Sequence, residues 1–226
     1  MKLSVIVPVF NEHNTIERVI ELIRAVPVPK EIIVVDDGSG DGTREILKKR
    51  LATADVTLIF HEKNQGKGAA VRTGIRAAGG GAIIIQDADL EYDPMDYVPL
   101  LAAMQSSGAR IVYGSRFLGK KKVTSSFHRF VNYFLTTLTN VLYGSHLTDM
   151  ETCYKLFRSD LLKSIPLVSP GFEIEVELTA KTLLRKERIV EVPVSYKGRS
   201  FHEGKKIGWR DGVKAVGQLF CYRFTR

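Results

Sequence analysis

The sequence predicts an α/β protein with a mostly parallel central sheet flanked by helices. Three observations carry this expectation. Short β-branched apolar runs alternate with amphipathic stretches through the first half of the chain, the runs are apolar on both faces, and paired carboxylates follow two of them. Residues 3–9 and 31–36 read as strands. Between them, residues 15–25 set Ile16, Val19, Ile20 and Ile23 on one helical face, with Asn14 or Thr15 as the cap. Asp41 or Thr43 starts a second helix that runs to Leu51, 56–60 is a third strand, 68–78 a third helix and 82–86 a fourth strand. Pro94 opens a helix to about Ser106, and 110–114 is another short strand.

After Gly114 the rhythm changes. Lys120-Lys121-Lys122 leads a polar, basic loop, and 127–143 then carries Phe127, Phe130, Val131, Phe134, Leu135, Leu138, Val141 and Leu142 as one broad helical stripe. Residues 154–158 read as a strand, 171–185 as a helix, 189–196 as a strand and 209–224 as a last amphipathic helix.

With 226 residues, 44% hydrophobic and 26% charged, the chain can bury one sizeable core, and a single domain over 1–226 is expected. The net charge of +8 favours anionic partners: nucleic acid, anionic lipid or a phosphorylated substrate. Cys153 and Cys221 lie far apart without metal-ligand spacing, which fits a reducing compartment. The amino-terminal apolar run is broken early by Pro8, so no export signal is expected. No unbroken apolar stretch reaches about 18 residues, so no bilayer span is expected either.

The chemistry lies in the carboxylates. Asp36-Asp37-Gly38-Ser39-Gly40-Asp41-Gly42-Thr43 follows the second strand, and Asp87-Ala88-Asp89 follows the fourth. Acidic side chains this close repel unless a cation or several donors use the charge, which is the chemistry of a nucleotide-diphosphate site. Ligands of an open parallel sheet bind outside the carboxyl ends of its strands, where Asn11-Glu12, Asp36-Asp37 and Asp87-Ala88-Asp89 should converge. The residues also permit plainer roles: Asp36 and Asp37 bonding the turn through Gly38 to Gly42, and 87–89 capping the loop before Pro94. No Gly-x-Gly-x-x-Gly follows the first strand and no phosphate loop is present. Gly66-Lys67-Gly68 reads instead as a tight turn into a helix.

Val7-Pro8-Val9-Phe10-Asn11-Glu12, the 36–43 run, Asn64-Gln65-Gly66-Lys67-Gly68, Asp87-Ala88-Asp89-Leu90-Glu91 and Gly114-Ser115-Arg116 follow one another as in family 2 glycosyltransferases. Each motif is weak alone; their order is specific, and the chain most resembles the dolichol-phosphate (polyprenyl-phosphate) mannose synthase branch. Asp149-Met150-Glu151-Thr152-Cys153-Tyr154-Lys155, Gly171-Phe172-Glu173-Ile174-Glu175 and the run from Glu191 to Tyr196 add support. The resemblance implies a GT-A (nucleotide-diphospho-sugar transferase) fold, with a nucleotide-binding half over 1–116 and an acceptor-binding half with interfacial helices over 117–226. It implies that Pro8, Phe10, Glu12, Val35 and Asp37 line the nucleoside pocket with Asp87 and Ala88, and that Asp89 and Glu91 ligate Mg²⁺ or Mn²⁺. It places Arg116 near the diphosphate, Arg129 near the acceptor phosphate, and Arg199, Lys205 and Lys206 on a basic loop over the site. The catalytic set so implied is Asp87, Asp89, Arg116, Arg129 and Arg199, with Arg116, Arg129 and Lys205 holding the acceptor phosphate.

A hydroxyl acceptor needs a general base, in family 2 an aspartate of a Glu-Asp pair ahead of Gln-x-x-Arg-Trp, and neither motif occurs. A phosphate monoester is already anionic at neutral pH, its second pKa being about 6, and can attack the sugar directly with inversion. The expected reaction is therefore metal-dependent transfer from a nucleotide-sugar such as GDP-mannose or a UDP-hexose to a polyprenyl phosphate. Glu173 and Glu175 either assist there or pair with Lys181 or Arg185. The 127–142 stripe and Trp209, Val213, Val216, Leu219 and Phe220 beside Lys214, Arg223 and Arg226 suit a membrane interface, or else pack on the sheet. The expected location is cytoplasmic, peripheral on the membrane face, with no nucleic-acid partner. The competing readings are a family 2 enzyme acting on a hydroxyl acceptor, a nucleotidyltransferase, for which the amino-terminal glycine-rich loop is missing, and a non-enzymatic basic binding module.

Overall fold

The computed structural model describes residues 1–119, 126–198 and 209–225. Among them, seven strands form one mixed sheet: β1 (Leu3–Val9), β2 (Lys30–Asp36), β3 (Val56–Phe60), β4 (Ala82–Ile85), β5 (Ile111–Ser115), β6 (Lys155–Arg158) and β7 (Ile189–Pro193). Their order across the sheet is β3-β2-β1-β4-β6-β5-β7. The connecting helices are α1 (Ile16–Ala25), α2 (Thr43–Arg50), α3 (Lys67–Ala77), α4 (Tyr97–Ser107, after a 3₁₀ turn at Pro94–Asp96), α5 (Ser126–Tyr143), α6 (Ser159–Ser164), α7 (Ile174–Leu184) and α8 (Trp209–Phe224). The predicted elements are therefore present, with α6 added.

Both faces of the sheet are covered. Leu3, Val5, Ile6 and Val7 of β1, and Ile83, Ile84 and Ile85 of β4, are fully buried, which is why these strands read as continuous apolar runs rather than alternating ones. α1 buries Ile16, Val19, Ile20 and Ile23 against them. Each such side chain contributes about 1.5–3 kcal/mol relative to exposure. β6 runs antiparallel to both β4 and β5, pairing Ile83 with Phe157 and Phe157 with Ile111. A strand of four residues carries no sign of its direction in the sequence. Its position interleaves the two parts of the chain, because β4 and β5 do not touch each other and β6 lies between them.

α2 starts at Thr43 as expected, whereas the α1 cap differs. Thr15 occupies the N-cap position of α1 but makes no capping bond; its hydroxyl lies 2.7 Å from Ala88 O and 2.9 Å from Glu12 Oε2, and so joins the β1 and β4 loops. At α2 the N-cap is Gly42 at φ +98°, and Asp41 Oδ1 accepts from Thr43 N and Oγ1 at 3.0 and 2.6 Å.

A second apolar cluster joins Leu135 of α5, Val176 of α7, Ala215 and Leu219 of α8, and Leu147 and Met150 between α5 and β6. The expected α5 stripe thus divides. Leu135, with Val131, Leu138 and Leu142, packs inward, while Phe130, Tyr133, Phe134 and Val141 stay exposed. α8 divides likewise, with Leu219 buried and Val213, Phe220 and Phe224 exposed.

The glycines before α3 allow close contact. A Cβ on Gly68 would run into the backbone carbonyls of Ser169 and Gly171, and Ala69 N donates to Pro170 O at 3.1 Å. Gly68→Ala is expected to cost about 2 kcal/mol in urea denaturation, whereas Gly40→Ala, with open space around it, should stay within about 0.5 kcal/mol.

Candidate active site

The loops leaving β1, β2 and β4 meet at one end of the sheet. β1 and β2 pair Pro8 with Val35 and Val9 with Asp36, so the two expected nucleoside-lining positions Pro8 and Val35 lie side by side. Asn11, at φ +52°, laces the loops together: its N–H donates to Ser39 Oγ at 2.9 Å and its Oδ1 accepts from Gly40 N at 3.0 Å. Glu12 N donates to Thr43 Oγ1 at 2.9 Å. The turn through Gly38 to Gly42 is therefore held by Asn11 and Asp41.

Asp36 and Asp37 look elsewhere. Buried Asp36 pairs with Arg44 at 2.7 Å. Asp37 Oδ1 accepts from Gln65 N at 3.0 Å and faces His61 Nδ1 at 2.7 Å, and its Oδ2 accepts from Gly66 N at 2.7 Å. Asp37 thereby fixes the loop that delivers Lys67.

Lys67 is the centre of a chain of buried charges. Its Nζ stands 2.7 Å from Asp87 Oδ1 and 3.2 Å from Glu175 Oε1. The other Glu175 oxygen lies 2.6 Å from Lys155 Nζ, whose side chain is wholly buried. Glu175 therefore pairs with Lys155 and Lys67, not with Lys181 or Arg185; Lys181 pairs with Glu177. The order Asp87–Lys67–Glu175–Lys155 alternates in sign, so each charge taken out of water has an opposite neighbour. Burial disfavours the Lys67 ammonium, yet the Asp87 and Glu175 carboxylates hold its pKa well above the ordinary lysine value. Burial likewise works against the Asp87 carboxylate, and Lys67 more than offsets it, leaving the pKa lowered. Burial pushes the neighbouring Cys153 thiol up, so it stays protonated.

Beyond Ala88, which is buried, the chain turns sharply at Leu90, at φ +62°. That conformation is uncommon for a branched residue and marks stored strain. Asp89 Oδ1 accepts from Glu91 N at 3.1 Å, and Glu91 Oε2 accepts from the Tyr196 hydroxyl at 2.8 Å. Burial and the Glu91 charge raise the Tyr196 phenol, keeping it a neutral donor. Asp89 and Glu91 stand on either side of the strained residue. Among the described residues, no cluster of three or more His, Cys, Asp or Glu is arranged to hold an ion.

Arg116, leaving β5, forms a two-pronged pair with buried Asp149: Nε to Oδ2 and Nη2 to Oδ1, both 2.7 Å. Asn132 of α5 donates to the same Oδ1 at 2.9 Å, and the Glu191 carboxylate accepts from the backbone N–H groups of Thr148 and Asp149. The guanidinium lies 5.1 Å from the centre of the Tyr196 ring. Arg116 also borders a groove of about 820 Å³ that Leu90, Glu91, Tyr92, Pro193 and Tyr196 help to line. The expected diphosphate arginine and Glu91 of the expected metal pair thus border one groove, which Asp89 does not line. Arg129 is exposed on the first turn of α5. Arg199, Lys205, Lys206 and Lys120–Lys122 lie outside the described residues. Sequence reasoning missed Lys67, Lys155 and Asp149 as organising residues, although all three sit inside motifs it singled out.

A doubly covered sheet with acidic loops at its carboxyl ends defines a nucleotide-diphosphate-sugar transferase architecture. The glycosyl transferase family 2 model matches residues 4–165, and the chain belongs to that family; it is a glycosyltransferase. It is 29% identical over 225 residues to the undecaprenyl-phosphate mannosyltransferase of Micrococcus luteus, covering 96% of this chain and 92% of that protein. To the dolichol-phosphate mannosyltransferase of Pyrococcus furiosus it is 28% identical over 214 residues, covering 92% of this chain and 60% of the relative. Its backbone superposes on glucosyl-3-phosphoglycerate synthase from Mycobacterium tuberculosis, crystallised with Mn²⁺, UDP and phosphoglyceric acid. The TM-score is 0.75 at 22% identity, over 100% of this chain and 79% of that one, which establishes the GT-A fold.

Replacing Lys67 by Met should leave the Asp87 carboxylate without its partner, while Glu175 keeps Lys155, and cost about 3–5 kcal/mol at neutral pH. Because Asp87 is depressed in the folded state, its contribution is present above the ordinary aspartate range and lost as pH falls through the lowered pKa. The gap between wild type and Lys67→Met in urea melts should therefore narrow on acidification.

Proposed function

We propose that this chain transfers a hexose from a nucleotide-diphosphate sugar to a polyprenyl phosphate, with inversion, at a membrane surface. One domain over 1–226 serves both substrates, the donor through 1–116 and the acceptor through 117–226. The observation that carries the reading is a direct mechanical link. Asn132 on α5 bonds the Asp149 that grips Arg116, while α5 exposes Phe130, Tyr133 and Phe134. The same helix thus supports a phosphate-binding cation and offers an apolar face to a lipid chain. The similarity to an undecaprenyl-phosphate mannosyltransferase across nearly the whole length supports the same acceptor class.

Pro8, Phe10, Glu12 and Val35 would line the nucleoside pocket, with Asp37 shaping it through the 61–66 loop. Asp89 and Glu91 would hold Mg²⁺ or Mn²⁺. Their oxygen chemistry suits a hard cation, and Mg²⁺ is commonly held by one or two carboxylates together with substrate phosphates, so a two-carboxylate motif fits. When bound, the ion neutralises charge on the departing nucleoside diphosphate. Asp87, kept ionised by Lys67, would accept from sugar or ribose hydroxyls. An acceptor phosphate oxygen attacks the anomeric carbon as the bond from that carbon to the diphosphate breaks, its electron pair leaving with the diphosphate. Arg116 and Arg129 hold the acceptor anion against the donor.

No helix among the described residues is long and apolar enough to cross a membrane. Attachment through α5 and α8 would be interfacial, with Lys214 and Arg223 meeting anionic head groups. Phe130→Ser with Phe134→Ser should reduce sedimentation with anionic vesicles at least about fivefold, the order expected for losing two interfacial side chains; unchanged sedimentation removes α5 from the interface.

The decisive experiment incubates the protein with polyprenyl phosphate, Mg²⁺ or Mn²⁺ and labelled GDP- or UDP-sugars, and measures label in the organic phase. Transfer by one donor, abolished by EDTA and by Asp89→Ala with the fold intact by circular dichroism, is the expected result. Retained turnover in Asp89→Ala sinks the metal assignment. Transfer to a soluble hydroxyl acceptor alone replaces the lipid reading.

A further inference from the structure

The loop between α5 and β6 carries an acid that the arrangement so far leaves unused. Glu151 is two residues beyond Asp149, and its Oε1 is shielded from solvent without a hydrogen-bond partner. The charged groups facing it are Lys155 from β6, Glu175 from α7, Arg116 from the end of β5 and Asp149 from its own loop. Both cations are already engaged, Arg116 by Asp149 at 2.7 Å and Lys155 by Glu175 at 2.6 Å. A further negative charge there meets two carboxylates and no uncommitted cation among these groups. Burial above all, with Glu175 and Asp149 adding to it against Lys155 and Arg116, pushes the carboxyl up to about 7.

A neutral carboxyl can donate a hydrogen bond, which a carboxylate cannot. Some enzymes keep such a group protonated to serve as a donor toward an anion. A phosphate monoester brings three strong acceptor oxygens, and the Arg116 fork that it meets is shared with Asp149. Glu151 lies two residues along the chain from the Asp149 that grips that arginine.

We propose that Glu151 belongs to the acceptor-phosphate site and binds in its neutral form, donating its carboxyl O–H to a phosphate oxygen of the acceptor. The assignment rests on the phosphate-acceptor reading above. The proton stays on Glu151 throughout, and the dianionic phosphate remains the nucleophile. Ionised, the same side chain repels the phosphate, so binding of the acceptor and of one proton are linked.

The test is the pH dependence of lipid transfer between about pH 6.5 and about pH 8.5, where the acceptor is mainly dianionic. Wild-type acceptor KM should climb, approaching tenfold per pH unit above about 7, while the donor KM does not follow it. Glu151→Gln supplies an N–H donor that cannot ionise, so its acceptor KM should stay flat over that range. Glu151→Ala should have a KM about tenfold above wild type at pH 6.5, the order of one lost hydrogen bond to a charged group. Donor-nucleotide affinity by calorimetry confirms that the variants are folded. Wild type alone provides a second readout: titrating it with a short-chain polyprenyl phosphate near pH 8 in buffers of different ionisation enthalpy should show uptake of close to one proton. A wild-type climb that persists in Glu151→Gln, or absence of proton uptake, overturns the proposal. So does a hundredfold loss of kcat in Glu151→Gln at unchanged KM, which would make the residue a general base. If wild type labels no lipid phosphate at any pH, the acceptor reading falls and this inference falls with it.

Discussion

Four alternating charges, Asp87, Lys67, Glu175 and Lys155, are taken out of water at the end of the sheet, and the architecture around them follows from the need to keep them paired. Each comes from a different element: the loop after β4, the start of α3, the first turn of α7, and β6. Removing a single member leaves a buried charge without its partner, which costs more than the intact set contributes. The set therefore specifies the relative placement of four elements more than it adds to stability. It also explains why α3 begins at a glycine-flanked lysine: only glycine lets the backbone come close enough to the 169–171 turn for Lys67 to reach both carboxylates.

The surroundings of Arg116 are built on the same logic with different parts. Arg116 is held by Asp149, Asp149 by Asn132 and the backbone N–H of Arg116, and Asn132 by its place on α5. A displacement of α5 is felt at the arginine through two hydrogen bonds, and contact between its exposed aromatic face and a lipid would be transmitted along the same route. The strained Leu90 turn and the Glu91–Tyr196 bond bring the loop after β4 to the same groove.

Much of this was legible in the sequence. The β-branched runs of β1, β2 and β4 could hardly be anything but strands, and Asp87-Ala88-Asp89 after β4 placed the acidic loop correctly. What escaped were relations that no local pattern encodes. The direction of β6 is set by its neighbours, since Lys155–Arg158 fits either orientation. α6 is only six residues long, too short for a helical period to show. The partners of Asp37, namely His61, Gln65 and Gly66, are 24 to 29 residues away, so its hold on the 61–66 loop leaves no local pattern. Lys67 was hidden by the glycines on either side of it, and the pairing of Glu175 with Lys155 crosses from α7 to β6 and leaves no trace in helical spacing.

The antiparallel β6 also bears on how the molecule can come into being. β4 finds one neighbour, β1, within the first part of the chain; its other edge stays open until residues 155–158 have been made and threaded in reverse between it and β5. A polypeptide ending near residue 116 would present that bare apolar edge to any other extended chain. During synthesis the Asp87–Asp89 loop precedes the strand that completes its platform by about seventy residues, several seconds of ribosome time at the usual rates. Over that interval one edge of β4 is without its partner strand.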